Sequence, residues 1–259
     1  MPEGDTVYRT ARTLDQALRG EVLTGCDIRV PAFATVDLAG ERMRDVASRG
    51  KHLLMRVGEA SIHSHLKMEG SWHLYRPGTR WRRPAFQARA VLETADWTAV
   101  GFELGLLEVV PLDRETELLA HLGPDLLGAD WDAEEAVIRL RATPDRPVAV
   151  ALADQRNLAG LGNEYVNELC FLRGLLPARP VAAVTDVPAL VALAHRLITA
   201  NRDRNERTTT GNTRRGAQSW VFSRAGQACR RCGTRIERGI LGRTELELRN
   251  TFWCPHCQT

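Results

Sequence analysis

Along residues 5–19 apolar side chains return at a helical interval: Val7, Ala11, Leu14 and Leu18 lie four, three and four apart. The spacing predicts one amphipathic helix, with Asp5 as its N-cap and Gly20 as its stop. From about residue 21 to 112 the pattern changes to short runs bounded by turn residues such as Pro77-Gly78. His52–Val57, Ser61–Met68, Ala88–Glu93 and Leu106–Val110 are examples, and they predict a sandwich of antiparallel sheets. Residues 113–130 carry the breakers Gly123-Pro124 and Gly128 and read as a connection. Helical periodicity returns over Ala133–Arg141, Pro147–Ala153, Asn163–Leu172 and Pro188–Arg204, whereas the polar, Gly/Arg-rich stretch 205–227 reads as loop. A cysteine-bearing module closes the chain. The expected fold class is α+β multidomain: an N-terminal antiparallel β-sandwich with a leading helix over 1–112, a linker over 113–130, a helical domain over 131–227 and a small module over 228–259.

Composition narrows the possibilities. The chain has 259 residues, 44% hydrophobic and 26% charged, which suits a soluble globular protein. No run of about 18 apolar residues is present, so a membrane span is not expected. The start, Met1-Pro2-Glu3-Gly4-Asp5, lacks the basic and apolar regions of a signal peptide, and a cytoplasmic location is the expectation. The net charge of +3 conceals an asymmetry: residues 201–259 hold 12 basic and 5 acidic side chains, the first 200 hold 23 and 27. A basic C-terminal quarter on a slightly acidic body suits a polyanion, although a solvated arginine tail reads the same way on charge alone. Only Lys51 and Lys67 are lysine; the other 33 cations are arginine. An amine can lose its proton and a guanidinium cannot, which singles out these two positions.

Cys229-x-x-Cys232 and Cys254-x-x-Cys257 are separated by 21 residues. Two turns that each present two thiolates make a closed tetrahedral site for one structural zinc ion. A disulfide pair is the competing reading, but nothing points to an oxidising compartment. Arg230, Arg231, Arg235, Arg243 and Arg249 flank the cysteines, so the metal would stiffen a basic ribbon. Cys26 and Cys170 lie among apolar residues and read as small buried hydrophobes.

Four segments, in order, resemble the formamidopyrimidine-DNA glycosylase/endonuclease VIII family. They are the Pro2-Glu3-Gly4 start, Gly50-Lys51 opening a strand, Gln155–Tyr165 as a helix–two-turns–helix, and Val221–Cys229 with Arg249–Gln258 as a zinc finger. The resemblance implies a bifunctional DNA glycosylase/AP lyase of base excision repair. Once Met1 is removed, Pro2 would expose a secondary amine of pKa near about 8, able to attack the sugar's anomeric carbon and expel the damaged base. The resulting iminium is an electron sink for β- and δ-elimination. The resemblance implies that Glu3 is a general acid at the sugar ring and that Lys51 holds the phosphate beside the lesion. Asn163 and Arg249 are implied to grip the backbone around an everted nucleotide, and Met68, in His65-Leu66-Lys67-Met68-Glu69-Gly70, to fill the void it leaves. The implied partner is damaged double-stranded DNA, with single-stranded or bubble DNA left open, and a monomer suffices.

The match also departs from the family. The branch that excises 8-oxoguanine carries Asp-Pro-Arg-Arg-Phe-Gly, where this chain has Val100-Gly101-Phe102-Glu103-Leu104-Gly105. This favours the endonuclease VIII branch and oxidised pyrimidines. Thr6 replaces that branch's usual Glu, Glu69 stands where it inserts a Tyr, and the linker inside the zinc finger is longer. A non-catalytic zinc-containing protein that binds damaged DNA, or a zinc ribbon that binds a protein, would share the basic tail. Neither gives a reason for Pro2, Glu3 and Lys51 to occur together.

Overall fold

Helix α1 (Gly4–Leu18) buries Val7, Ala11, Leu14 and Leu18, the positions that the spacing selects. The structure, a computed structural model, describes residues 2–259; Met1, whose removal the expected Pro2 chemistry requires, lies outside them. Asp5 is not the N-cap. Glu3 takes the extended cap conformation, φ −123° and ψ −174°, so the helix starts at Gly4 and Asp5 lies inside its first turn. There its carboxylate accepts the Thr6 N–H at 2.8 Å, and a negative group suits the positive end of the helix. Gly20 ends the element with φ +81° and donates its N–H to the Met43 carbonyl at 2.8 Å.

Two antiparallel four-stranded sheets follow in the first unit, which ends at His121. One has the order β2 (Met43–Arg49), β3 (His52–Val57), β4 (Ala60–His65), β8 (Leu106–Pro111). The other has the order β1 (Gly25–Ile28), β6 (Ala88–Glu93), β7 (Thr98–Phe102), β5 (Ser71–Tyr75). Met43, Leu53, Met55, Ile62, Leu92 and Ala99 form a common core with the apolar stripe of α1. Strand β4 stops at His65, short of the expected Met68, because Lys67 enters the left-handed region (φ 52°) and turns the chain.

The stretch 113–130, the expected linker, is held at several points. Its first part, in α2 (Glu115–Leu119), is tied to the sheet: Arg56 Nη2 meets Glu115 Oε1 at 2.5 Å and Ser61 Oγ donates to Glu115 Oε2 at 2.7 Å. Leu122, Asp125 and Leu126 are buried in the second unit, Leu122–Thr259.

That second unit holds α3 (Ala133–Arg141), α4 (Val148–Ala153), α5 (Asn163–Leu172), α6 (Val187–Asn201) and the hairpin β9 (Glu237–Leu241) with β10 (Arg249–Trp253). Leu126, Leu140, Leu152, Leu161, Tyr165, Leu190 and Ile198 belong to one core. Helix α6 begins at an Asp186 cap and ends before the expected Arg204. The buried Asn201 side chain exchanges hydrogen bonds with Thr208 at 2.8 and 3.0 Å and bends the chain away. Residues 205–227 contain neither helix nor strand, as expected, yet they are firmly held. The fully buried Glu168 of α5 accepts the backbone N–H groups of Trp220, Val221 and Phe222 at 2.7–2.8 Å and the Thr209 hydroxyl. Glu168→Ala should therefore destabilise this unit by about 3 kcal/mol or more in urea unfolding, since several buried donors lose a charged acceptor at once. Glu168→Gln should recover only part of the loss, and an unchanged midpoint for Glu168→Ala would refute the assignment.

Candidate active site and metal centre

Strands β2 and β3 are joined by Gly50 and Lys51 alone, between paired Arg49 and His52. Gly50, first of the two turn residues, has φ +58°, a conformation a tight hairpin of this kind assigns to glycine. Half-buried Lys51 is therefore fixed at the hairpin tip rather than inside a strand. Helix α1 runs antiparallel to β2: Gly20 meets Met43, and Asp15 Oδ1 accepts the Val46 N–H at 2.7 Å. From Asp15 back to Gly4 the helix covers about 16 Å, and from Val46 on to Lys51 the strand covers about 17 Å. The helix start and the hairpin tip are thus level. Half-buried Pro2 and fully buried Glu3 lie at the Lys51 end of the sheet, so Glu3 is no exposed helix-start carboxylate.

More of the rim collects there. His65 pairs with His52 and Leu106 pairs with His65, so the β4–β5 and β7–β8 turns share this end. Both turns hold a non-glycine residue at positive φ, Lys67 at 52° and Glu103 at 46°. Such backbone strain persists where surrounding contacts impose it, often at functional sites. His65 Nδ1 accepts the Lys67 N–H at 2.9 Å, and a side chain at Gly105 would meet Lys67 Cγ at 2.2 Å. The turn so formed presents Met68 with 61% of its surface exposed, not as a buried strand residue. Phe102, in the stretch comparable to the family's Arg/Phe loop, is wholly buried.

The rim is rich in uncharged histidine, a feature sequence reasoning passed over although His52, His63 and His65 alternate along neighbouring strands. His52 Nδ1 and His63 Nε2 are 2.8 Å apart, and His63 Nδ1 lies 3.2 Å from Glu108 Oε2. Burial, reinforced by the nearby imidazoles, lowers His52 to about 3. Burial and then the charges of Lys67 and Lys51 lower His65 to about 4. Both lysines of the chain thus act on one imidazole.

In the second unit Asn163 is the first residue of α5, after the Gly162 cap. Its Nδ2 donates to the Asn250 carbonyl at 2.9 Å, which sets it beside Arg249 at the start of β10. Asn167, one turn on, donates to the Asn163 carbonyl at 2.7 Å and accepts the Phe252 N–H at 2.6 Å. This buried positioning residue was missed; the only sequence signal was its i, i+4 spacing from Asn163. Arg249 is exposed.

The four thiol sulfurs of Cys229, Cys232, Cys254 and Cys257 lie within 4.8 Å of one another. Cys229–Cys257 and Cys232–Cys254 are 4.0 and 3.4 Å apart, far beyond a disulfide bond of about 2.05 Å. A tetrahedron of sulfurs about 2.3 Å from a central ion has edges of about 3.8 Å, so the set fits one metal ion. Phe171, Val221, Ile236 and Phe252 pack beneath it. Of the remaining cysteines, Cys170 is fully buried and pushed up to about 12 by desolvation, while Cys26 is only partly buried, contrary to expectation.

Comparison with known proteins agrees with this geometry. Residues 1–161 match the formamidopyrimidine-DNA glycosylase N-terminal domain. The chain is 52% identical to the DNA-(apurinic or apyrimidinic site) lyase Nei2 of Mycolicibacterium smegmatis, covering 100% of this chain and 99% of that protein. It is 32% identical to endonuclease 8 of Klebsiella pneumoniae over the full length of both. A structure of the Lactococcus lactis Fpg with DNA containing an abasic site superposes with a TM-score of 0.83 at 21% identity, covering all of both chains. That last likeness shows the fold. Fold and site together define a DNA-repair glycosylase with lyase relatives. The chain belongs to the formamidopyrimidine-DNA glycosylase family, on its endonuclease VIII side.

The histidine rim predicts a pH dependence. In the unfolded chain these imidazoles titrate near about 6.5, whereas in the folded one His52 and His65 titrate at about 3 and about 4. The unfolded state therefore binds more protons between those values, and stability falls as pH drops below about 6.5. The melting temperature should decline from pH 6.5 to 5, and His52→Asn/His65→Asn should flatten that decline. An equal slope in the variant would refute it.

Proposed function

We propose that this protein is a bifunctional DNA glycosylase/AP lyase that excises oxidised bases, pyrimidines in preference, through the Pro2 amine. The observation that carries the reading is the levelling of the α1 start with the β2–β3 tip, which puts Pro2, Glu3 and Lys51 at one end of the sheet. The Pro2 nitrogen attacks C1′ and gives up its proton as the base departs with one; the C1′–O4′ bond then opens, O4′ takes a proton, and the sugar is left as an iminium joined to Pro2. Loss of a C2′ proton then expels the 3′ phosphate, and a second elimination expels the 5′ phosphate. Glu3, buried beside the nucleophile, moves the proton at the sugar ring, and Lys51 holds the adjoining phosphate.

Asn163 and Arg249 hold backbone phosphates, a role supported by the Asn163–Asn250 hydrogen bond that sets them side by side. Met68, exposed on its strained turn, fills the space left by the everted nucleotide. The four cysteines hold one structural zinc ion, which stiffens the ribbon that carries Arg249. The protein acts as a monomer on damaged DNA, in the cytoplasm or at the nucleoid.

Borohydride trapping on a duplex with one abasic site tests the chemistry. Protein shown by mass to lack Met1 should give a covalent adduct. A form that retains Met1 should give none, because its Pro2 nitrogen is an amide. Lys51→Ala should lower the rate about 10²-fold or more. No adduct from the Met1-free protein would leave a non-catalytic binder of damaged DNA as the better reading.

The zinc assignment has its own test. Elemental analysis should find one zinc per chain, and Cys232→Ser should lose it together with most DNA affinity. Full affinity without metal would overturn the assignment.

A further inference from the structure

Residues 70–92 hold five arginines and no carboxylate, on an otherwise acidic first 200 residues. Most of them fall in the β5–β6 connection, and its arginines divide into two kinds. Arg76, over the Trp97 ring at 3.9 Å, and Arg83 are internal struts. Arg83 donates to the Glu69 carbonyl and to Ser71 Oγ at 3.2 Å, to Gln87 Oε1 at 3.0 Å, and forms an ion pair with Glu103. Those bonds hold the connection against the Met68 turn and against the turn that carries Glu103. Arg80 and Arg82 are exposed, and neither makes an ion pair or a side-chain hydrogen bond among the described residues.

Aromatic surface lies between these cations. Trp81 is half-exposed, packed edge-on against Phe102 at 5.9 Å with Arg29 over its ring at 5.8 Å. Phe86 has 79% of its surface exposed. Thr79, Arg80, Trp81, Arg82, Arg83, Pro84 and Ala85 line an open groove of about 550 Å³, a size that small-ligand sites occupy.

We propose that Arg80, Trp81, Arg82 and Phe86 form an auxiliary DNA site that takes unpaired nucleotides beside the Met68 turn. The inference rests on the glycosylase reading for its place in the reaction, but not for its chemistry. Free guanidinium groups interleaved with exposed aromatic faces match a single strand, whose phosphates and unstacked bases are both accessible. A closed duplex offers the phosphates but no base faces. An acidic protein would satisfy Arg80 and Arg82 and leave the exposed Phe86 face without a purpose. The Val100–Gly105 turn lacks arginine and buries its Phe102; the arginine set against the Met68 turn, Arg83, comes from this connection instead. Local melting around an everted base creates the unpaired nucleotides that the site accepts.

The test is fluorescence anisotropy with the full-length, zinc-loaded protein, on a single strand, a bubble and a fully paired duplex that all carry the same abasic analogue. Arg80→Ala/Arg82→Ala should weaken single-strand and bubble binding about tenfold or more, and lower the salt slope on the single strand by about 1.4, about 0.7 per phosphate contact. Phe86→Ala should weaken the same two substrates at least about fivefold, as expected for the loss of one stacked base. Arg80→Lys/Arg82→Lys should restore the salt slope. Unchanged affinity and slope on the single strand and bubble would overturn the proposal and leave the surface to an acidic protein. An equal loss on the paired duplex would also overturn it, as mere general attraction. Borohydride trapping of the wild type, run alongside, separates the two readings. An adduct with unaltered variant binding sinks the auxiliary site alone, whereas a missing adduct sinks the glycosylase and leaves the binding comparison to decide the site.

Discussion

A buried carboxylate must be saturated with donors or it becomes a large cost, and Glu168 meets that demand by capturing a segment with no regular structure of its own. Three consecutive N–H groups, from Trp220 to Phe222, and the Thr209 hydroxyl converge on it from the polar stretch after α6. That capture fixes where the chain departs toward Cys229. The ribbon then lies on α5, with Phe171, Val221, Ile236 and Phe252 between them. Asn163 reaches Asn250 and Asn167 reaches Phe252 only because the ribbon is held there. The position of Arg249 beside Asn163 thus depends on a buried carboxylate in the middle of α5.

The first unit solves a different problem, how to keep cations and imidazoles close together at one rim. Lys51 and Lys67 both bear on His65, and His52 is hemmed in by three further imidazoles. Burial keeps His52 and His65 neutral at working pH, so the lysines are not opposed by positive charge on these two rings. The strained residues Lys67 and Glu103 sit on adjacent turns of the same rim, where Gly105 permits the close approach. A rigid, strained turn can hold Met68 in solvent without letting it collapse onto the core. That combination suits a surface that meets an anion.

Much of the architecture was legible because local periodicity is enforced by burial. The α1 stripe, strands β3 and β6, helices α3 and α5 and the cysteine pairs all appear where the spacing puts them. The errors fall where tertiary contacts override local preference. Asp5 looks like a cap, but buried Glu3 takes that place; β4 looks three residues longer, but Lys67 turns the chain; α6 looks longer, but Asn201 turns inward to Thr208. Within the expected linker, Glu115 is tied to Arg56 and Ser61, long-range contacts that no local pattern announces.

The sequence by itself determined the element types and the set of four cysteines, since each is a matter of residue chemistry and short-range spacing. It also marked Lys51, because a lone amine among guanidinium groups stands out at any distance. Only the tertiary structure decided that the α1 start is level with the hairpin tip, that Asn163 adjoins Arg249, and that Arg83 holds a basic, aromatic connection against the Met68 turn. Those juxtapositions join residues tens of positions apart through helix rise, strand register and side-chain hydrogen bonds. No local pattern encodes them, because each arises from the way separate elements pack.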